Sequence, residues 1–154
     1  MTTQEVLLVK PEFIPDIWPR VRSLIGEALD HTIGELHTSD ILKMLLNEKE
    51  FLWIGVEHDE INSVLVAEVV NYPRKRVLRI IIMTVDKKSD FNTWIRYSHI
   101  IEDFARTMEC SHLEAWARKG LTRKLNWEHE YAVISKPIKP KQQRKRRRRP
   151  KKHG

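Results

Sequence analysis

The chain has 154 residues, a formal net charge of +7 and a single cysteine. That length gives one domain with a core large enough to need no covalent staple, and a lone Cys110 excludes both an internal disulfide and a cysteine-based zinc site. No stretch approaches the eighteen or so apolar residues of a membrane span and MTTQEVLLVK lacks a signal-peptide core, so a soluble protein, neither secreted nor membrane-bound, is expected.

The charge is unevenly spread. Residues 136–154 hold eleven Lys or Arg and no acid, whereas the preceding 135 residues hold 17 basic against 21 acidic side chains. A body of net −4 therefore carries a tail of net +11. Such a run repels itself too strongly to pack, so residues 1–136 are expected to fold and residues 137–154 to form a disordered basic tail. The natural partner of the tail is a polyanion, nucleic acid before others, with a solubilising or localising role as the alternative.

In chain order, residues 5–9 form a short apolar run stopped by Lys10-Pro11, a first strand. Pro15 opens a helix in which Ile17, Trp18, Val21, Leu24, Ile25 and Ala28 recur at helical spacing. Thr38, Ser39 and Asp40 offer N-caps for a second helix carrying Ile41, Leu42, Met44, Leu45 and Leu46. Residues 51–57, 61–71 and 76–85 then read as three strands, joined by the polar turn His58-Asp59-Glu60 and the tight YPRK connection, an antiparallel meander.

After a polar break at 86–90, apolar positions from Phe91 to Met108 give one long helix. A strand at 112–117 follows, so the helix is a crossover rather than a hairpin. One or two helical turns at 120–125 and a strand at 130–136 close the body before Pro137 and Pro140. The class is α+β, a mixed α/β sheet, in the order β-α-α-β-β-β-α-β-α-β.

Chemical signatures are sparse. His31 and His37 fall in a loop, and His99, His112 and His129 lack metal-ligand spacing, so no metal is expected. There is no Gly-x-Ser-x-Gly elbow and no Walker loop, and Cys110 reads as a packing residue. Trp18, Trp53, Trp94, Trp116 and Trp127 sit mostly on apolar faces and read as core, with stacking of Trp116 and Trp127 on nucleic acid as the lesser alternative.

The element order over residues 5–136 resembles the GNAT acetyltransferase superfamily. LWIGVEHDEINSVLVAEVVNYPRKRVLRI resembles the central meander of GNAT-like proteins encoded by bacteriophages, and LEAWARKGLTRKLNWEHEYAVISKPI resembles their closing elements. The resemblance implies an acetyl-CoA pyrophosphate held by a Q/R-x-x-G-x-G/A loop after the fourth strand, where glycines let backbone N–H groups approach the phosphates. The matching residues 83–90 contain no glycine and bring Asp86 and Asp90 to that place, leaving Val85, Lys87 and Lys88 as candidate cofactor contacts. The resemblance further implies a carboxylate base on a central strand, for which Glu68 is the candidate, and a tyrosine after the fifth strand. Residues 117–127 contain no tyrosine, and Tyr131 lies in the last expected strand.

The expected function is therefore a phage-type GNAT-like protein with degenerate acyltransferase apparatus and no cofactor. Its tail, through Lys141, Arg144, Lys145, Arg146, Arg147, Arg148, Arg149, Lys151 and Lys152, would bind nucleic acid without sequence preference, helped by Arg74, Lys75 and Arg76 at the meander turn. The setting would be host cytoplasm or virion interior, with other virion proteins as further partners. Two readings stay open beside it: an active acetyl-CoA-dependent N-acetyltransferase acting on an amine, and a virion structural protein that uses the fold as an assembly module.

Overall fold

Strand-forming valines, isoleucines and aromatics concentrated in the middle of the chain build the sheet on which both helical layers rest. The computed structural model describes residues 4–30, 36–115, 124–128, 130, 135–138 and 140. In it β1 (Gln4–Leu8), β2 (Phe51–Glu57), β3 (Glu60–Tyr72), β4 (Lys75–Val85) and β5 (His112–Ala115) form one sheet in the order β1-β2-β3-β4-β5. The first four strands are antiparallel neighbours and β5 joins β4 in parallel, so the α+β class, the meander and the crossover all stand as read from the sequence. The closing helix and strand expected over 120–125 and 130–136 lie largely outside the described residues, and residues 141–154 lie wholly outside them.

Each face of the sheet has its own core. On one face α1 (Ile14–Leu29), entered through a 3-10 turn at Pro11–Phe13, and α2 (Thr38–Leu46) set Val21, Ile25, Ile41 and Leu45 on Leu52, Ile54, Val64, Val66 and Ile82. On the other face α3 (Asn92–Arg96) and α4 (Ser98–Thr107) set Trp94, Ile101 and Ala105 on Trp53, Leu65, Ala67, Leu78 and Ile80. Trp53 and Trp94 are buried core residues, and Phe104 meets the Trp53 ring edge-on with centroids 5.0 Å apart. Trp18 and Trp127 are half-buried, Trp116 lies outside the described residues, and Cys110 packs half-buried against the second cluster.

Two local features differ from the sequence reading. The single helix expected over 91–108 is two helices, because Tyr97 leaves helical geometry at φ −105° and ψ 16°. Its hydroxyl donates to the Gln4 carbonyl at 3.1 Å, tying the helix junction to β1 across the sheet. The apolar stripe runs unbroken through this point, so periodicity alone does not mark the break. The N-cap of α2 is His37 rather than any of Thr38, Ser39 and Asp40: His37 is extended, and its N–H donates to the Asp40 carboxylate at 3.0 Å.

Two bulges set which side chains face which layer. Asn62 is the extra residue where β3 leaves register with β2, and Ile81 is the extra residue where β4 leaves register with β3. At the first bulge Gly55 lies against Ser63, whose buried hydroxyl donates to Asn62 Oδ1 at 3.1 Å. A Cβ at position 55 would fall on Ser63 Oγ, so glycine is required here by close approach. Gly55→Ala is therefore expected to lower stability by about 1–3 kcal/mol. The same change in a Ser63→Ala background should cost clearly less; additive losses in denaturant unfolding would show that the two residues do not collide.

Candidate functional site

The second bulge turns a charged row toward the α1 and α2 side of the sheet. Ala67 pairs with Ile80 and both belong to the core under α4, so the next pair, Glu68 with Arg79, points to the opposite face. Parallel pairing then brings Glu114 of β5 beside Arg79. Arg79 Nε donates to Glu114 Oε1 at 2.9 Å and its Nη2 donates to the Tyr72 hydroxyl at 3.0 Å. That hydroxyl in turn donates to the Glu114 carboxylate at 3.0 Å. Arg79 Nη1 also stands 3.7 Å from Glu68 Oε2, a longer and weaker pairing. Burial by itself would lower the Arg79 pKa, but the hydrogen bonds to Glu114 and Tyr72 hold it above its ordinary value, so the guanidinium stays charged.

A further carboxylate completes the row. Glu50 precedes β2 by one residue, and Phe51 pairs with Ala67, so the register sets Glu50 opposite Glu68. Glu50 is only 6 % exposed, and its Oε1 has no hydrogen-bond partner among the described residues. Burial, and then the neighbouring charge of Glu68, push its carboxyl up to about 7. Two carboxylates, Glu114 and Glu68, thus face the Arg79 guanidinium, and a third, Glu50, stands beside Glu68. Such a row can bind a cation, and a carboxyl that titrates near neutrality can exchange a proton.

The connection after β4, where a cofactor phosphate loop is implied, is built differently from a phosphate cradle. The Asp86 carboxylate accepts from Lys88 N–H at 3.1 Å, and the Asp86 carbonyl accepts from Ser89 N–H at 3.1 Å. The Asp90 carboxylate accepts from Asn92 N–H at 3.0 Å and from the Asn92 side chain at 3.0 Å, and the Asp90 carbonyl accepts from Thr93 N–H. Backbone donors at the start of α3 are thereby used by the loop's own acids. Val85 is half-buried at the end of β4, while Lys87 and Lys88 are exposed. Lys124 Nζ stands 5.4 Å over the Phe91 ring.

Behind this loop, between the sheet and the second helical layer, lies a cavity of about 170 Å³ of mixed polarity, walled by Met83, Trp94, Leu113 and Trp127 and, on α4, by Ser98 and Glu102. It is narrowed by Trp94, whose indole N–H donates to the Thr84 carbonyl at 3.1 Å. Ligand pockets usually run to roughly 300–1,000 Å³.

At the meander turn, Arg74 is exposed, Lys75 Nζ sits 5.7 Å over the Tyr72 ring, and Arg76 is engaged. The Arg76 guanidinium donates to the Met108 carbonyl at 2.7 Å and to Asn71 Oδ1 at 3.2 Å, so it fastens the turn to the end of α4. The expected tail cations Lys141, Arg144 to Arg149, Lys151 and Lys152 fall outside the described residues. Among the described residues no cluster of three or more His, Cys, Asp or Glu is placed to hold a metal ion. No helix among them is long and apolar enough to cross a membrane.

A four-strand antiparallel run, a parallel fifth strand reached by a crossover helix, and two helices after the first strand constitute a GNAT-like fold. The aminoglycoside N-acetyltransferase AAC(6')-Iy, solved in complex with CoA, superposes with a TM-score of 0.71 at 10% identity, covering 91% of this chain and 97% of that one. The ribosomal-protein-alanine N-acetyltransferase of Brucella melitensis biovar Abortus 2308 gives 0.67 at 10% identity over 89% and 100%. An aminoglycoside acetyltransferase, HMB0005, from an uncultured soil metagenomic sample gives 0.67 at 14% identity over 89% and 99%. No protein-family model and no curated protein sequence matches the chain.

Sequence reasoning singled out Glu68 as a candidate base but did not join Glu50, Tyr72, Arg79 or Glu114 to it. The missing signal was register: Glu50 and Glu114 become neighbours of Glu68 and Arg79 only through cross-strand pairing.

A carboxyl whose folded pKa lies above its unfolded one binds its proton more tightly in the folded state. The stability it lends is complete below the unfolded value of 4.5 and is lost as pH rises through about 7. Glu50→Gln should therefore match the wild type at pH 4 and exceed it at pH 8 by roughly 3 kcal/mol at most. Parallel pH–stability curves for the two proteins in denaturant titrations would refute this origin of the pH dependence.

Proposed function

We propose that the chain is a GNAT-fold protein that does not run acetyl-CoA-dependent acyl transfer and that associates with nucleic acid through its basic C-terminal segment. One observation carries the first half: the Asp86 and Asp90 carboxylates occupy the Lys88 and Asn92 N–H groups where a pyrophosphate would need free donors. An incoming phosphate would have to displace two anions and then lie beside them, which electrostatics opposes at every step. The absence of glycine from residues 83–90, and the small volume of the cavity behind them, act in the same direction.

The second half rests on charge. Nine Lys or Arg side chains fall between positions 141 and 152, and each phosphate that they neutralise releases counterions, so the affinity is electrostatic and blind to base sequence. A setting with the packaged genome or in the virion interior, with other virion proteins as neighbours, is proposed on the resemblance read in the sequence alone.

A second reading is an N-acyltransferase in which other contacts grip the cofactor and the Glu50 and Glu68 carboxylates take a proton from an amine. It is favoured by the titration of Glu50 near neutrality.

Thermal shift with acetyl-CoA separates the two. No stabilisation at millimolar ligand is expected, because a ligand at one hundred times its dissociation constant would add about 2.7 kcal/mol. Clear stabilisation, or turnover abolished by Glu68→Gln, would transfer the case to the acyltransferase.

For the nucleic-acid half, log affinity for duplex DNA against log salt should have a slope of roughly −5 to −7. Deletion of residues 137–154 should remove both affinity and slope without changing the melting temperature; retention of either would exclude the tail as the binding element.

A further inference from the structure

Three of the six exposed large hydrophobic side chains among the described residues, Leu7 at 45 %, Leu8 at 42 % and Phe13 at 52 %, fall in β1 or in the turn that follows it. β1 is the last strand of the sheet on its side, so no described strand pairs with its outer edge. Val9 N–H donates to the Leu52 carbonyl at 2.8 Å, and alternation along the antiparallel ladder then turns the backbone groups of Glu5 and Leu7 toward β2 and those of Gln4, Val6 and Leu8 outward. The Gln4 carbonyl accepts from Tyr97 and the Lys10 carbonyl from Phe13 N–H, so the open backbone groups centre on Val6 and Leu8. Natural sheet edges are protected by proline, lysine or a bulge, and Gln4–Leu8 carries none of these.

We propose that this edge pairs with the same edge of a second copy of the chain, in an antiparallel two-fold ladder centred on Leu7. Centring there sets Val6 opposite Leu8 of the second copy and Leu8 opposite its Val6, so the open N–H and C=O groups exchange four hydrogen bonds. A ladder centred on Val6 would set Leu8 against Gln4, and one centred on Leu8 would set Val6 against Lys10; in both the opposing carbonyl is already engaged. Leu7 meets its own counterpart in the closer, non-hydrogen-bonded kind of pair, Glu5 faces Val9, Gln4 faces Lys10, and no like charges are opposed. Two-fold pairing occupies the edge of both copies and therefore closes, leaving none for a third. So small an interface gives weak, concentration-dependent association. It needs neither acyl transfer nor nucleic acid, and so stands or falls separately from the function proposed above.

The test uses nuclease-treated full-length protein, so that the basic segment cannot bridge copies through nucleic acid. Sedimentation should show a monomer–dimer equilibrium, and Leu7→Lys, which opposes two like charges at the two-fold axis, should raise its dissociation constant about ten-fold or more. Cysteine substitutions in a Cys110→Ser background read the register. Leu7→Cys brings two thiols within the span of a disulfide, whereas in Leu8→Cys the two are offset by two residues along the ladder, beyond the limit of roughly 7 Å between Cα atoms. Mild oxidation should therefore cross-link Leu7→Cys about ten-fold faster or more than Leu8→Cys. A monomer at every concentration, an unchanged dissociation constant in Leu7→Lys, or equal cross-linking at the two positions would overturn the proposal.

Discussion

Pairing of β3 with β4, from Ser63 opposite Val85 to Tyr72 opposite Lys75, is the constraint on which the other parts depend. Both helical layers dock on these two strands, and β5 can join only because β4 offers its other edge. One extra residue, Ile81, breaks the ladder's regularity. Because side chains alternate with a period of two, that insertion keeps Ile80 under α4 with Ala67 and puts Arg79 on the opposite face with Glu68, whose own strand alternates without a break. Were Ile81 paired like its neighbours, β4 would fall out of phase before it, and Arg79 would share a face with Trp94, Ile101 and Ala105.

The charged row and the loop after β4 stand in contrast. In the loop, acids are satisfied: Asp86 and Asp90 accept from backbone N–H groups, and their local turns carry the chain from β4 into α3 without glycine. In the row, acids exceed their partners, and the excess settles on Glu50, where burial and a neighbouring charge make ionisation costly. A GNAT-like fold thus carries a loop after β4 whose acids are satisfied by its own backbone and, on the sheet, a buried carboxylate without a hydrogen-bond partner among the described residues.

Much of the architecture was legible in the sequence because it follows from local pattern. β2 was bounded at Phe51 and Glu57 by its apolar run and by the flanking turn, and the crossover followed from finding a long helical stripe between two strands. What was not legible needed partners distant in sequence. The break at Tyr97 coincides with a hydrogen bond to the Gln4 carbonyl, 93 residues away, and an unbroken apolar stripe carries no trace of it. The N-cap at His37 depends on the backbone being extended there, which the string Thr38-Ser39-Asp40 does not disclose.

By itself, then, the sequence determined the class of fold, the order of elements over the described body, the division of charge between body and C-terminus, and the lack of glycine at the phosphate corner. These follow from composition, periodicity and turn chemistry, properties of neighbours along the chain. Only the tertiary structure decided that Glu50, Glu68, Arg79, Glu114 and Tyr72 form one row, and that Arg76, a cation like any other in the sequence, is tied to Met108 and Asn71. The physical reason is that strand register sums every pairing and bulge across the sheet, and a shift of one residue at any of them would send these side chains to opposite faces.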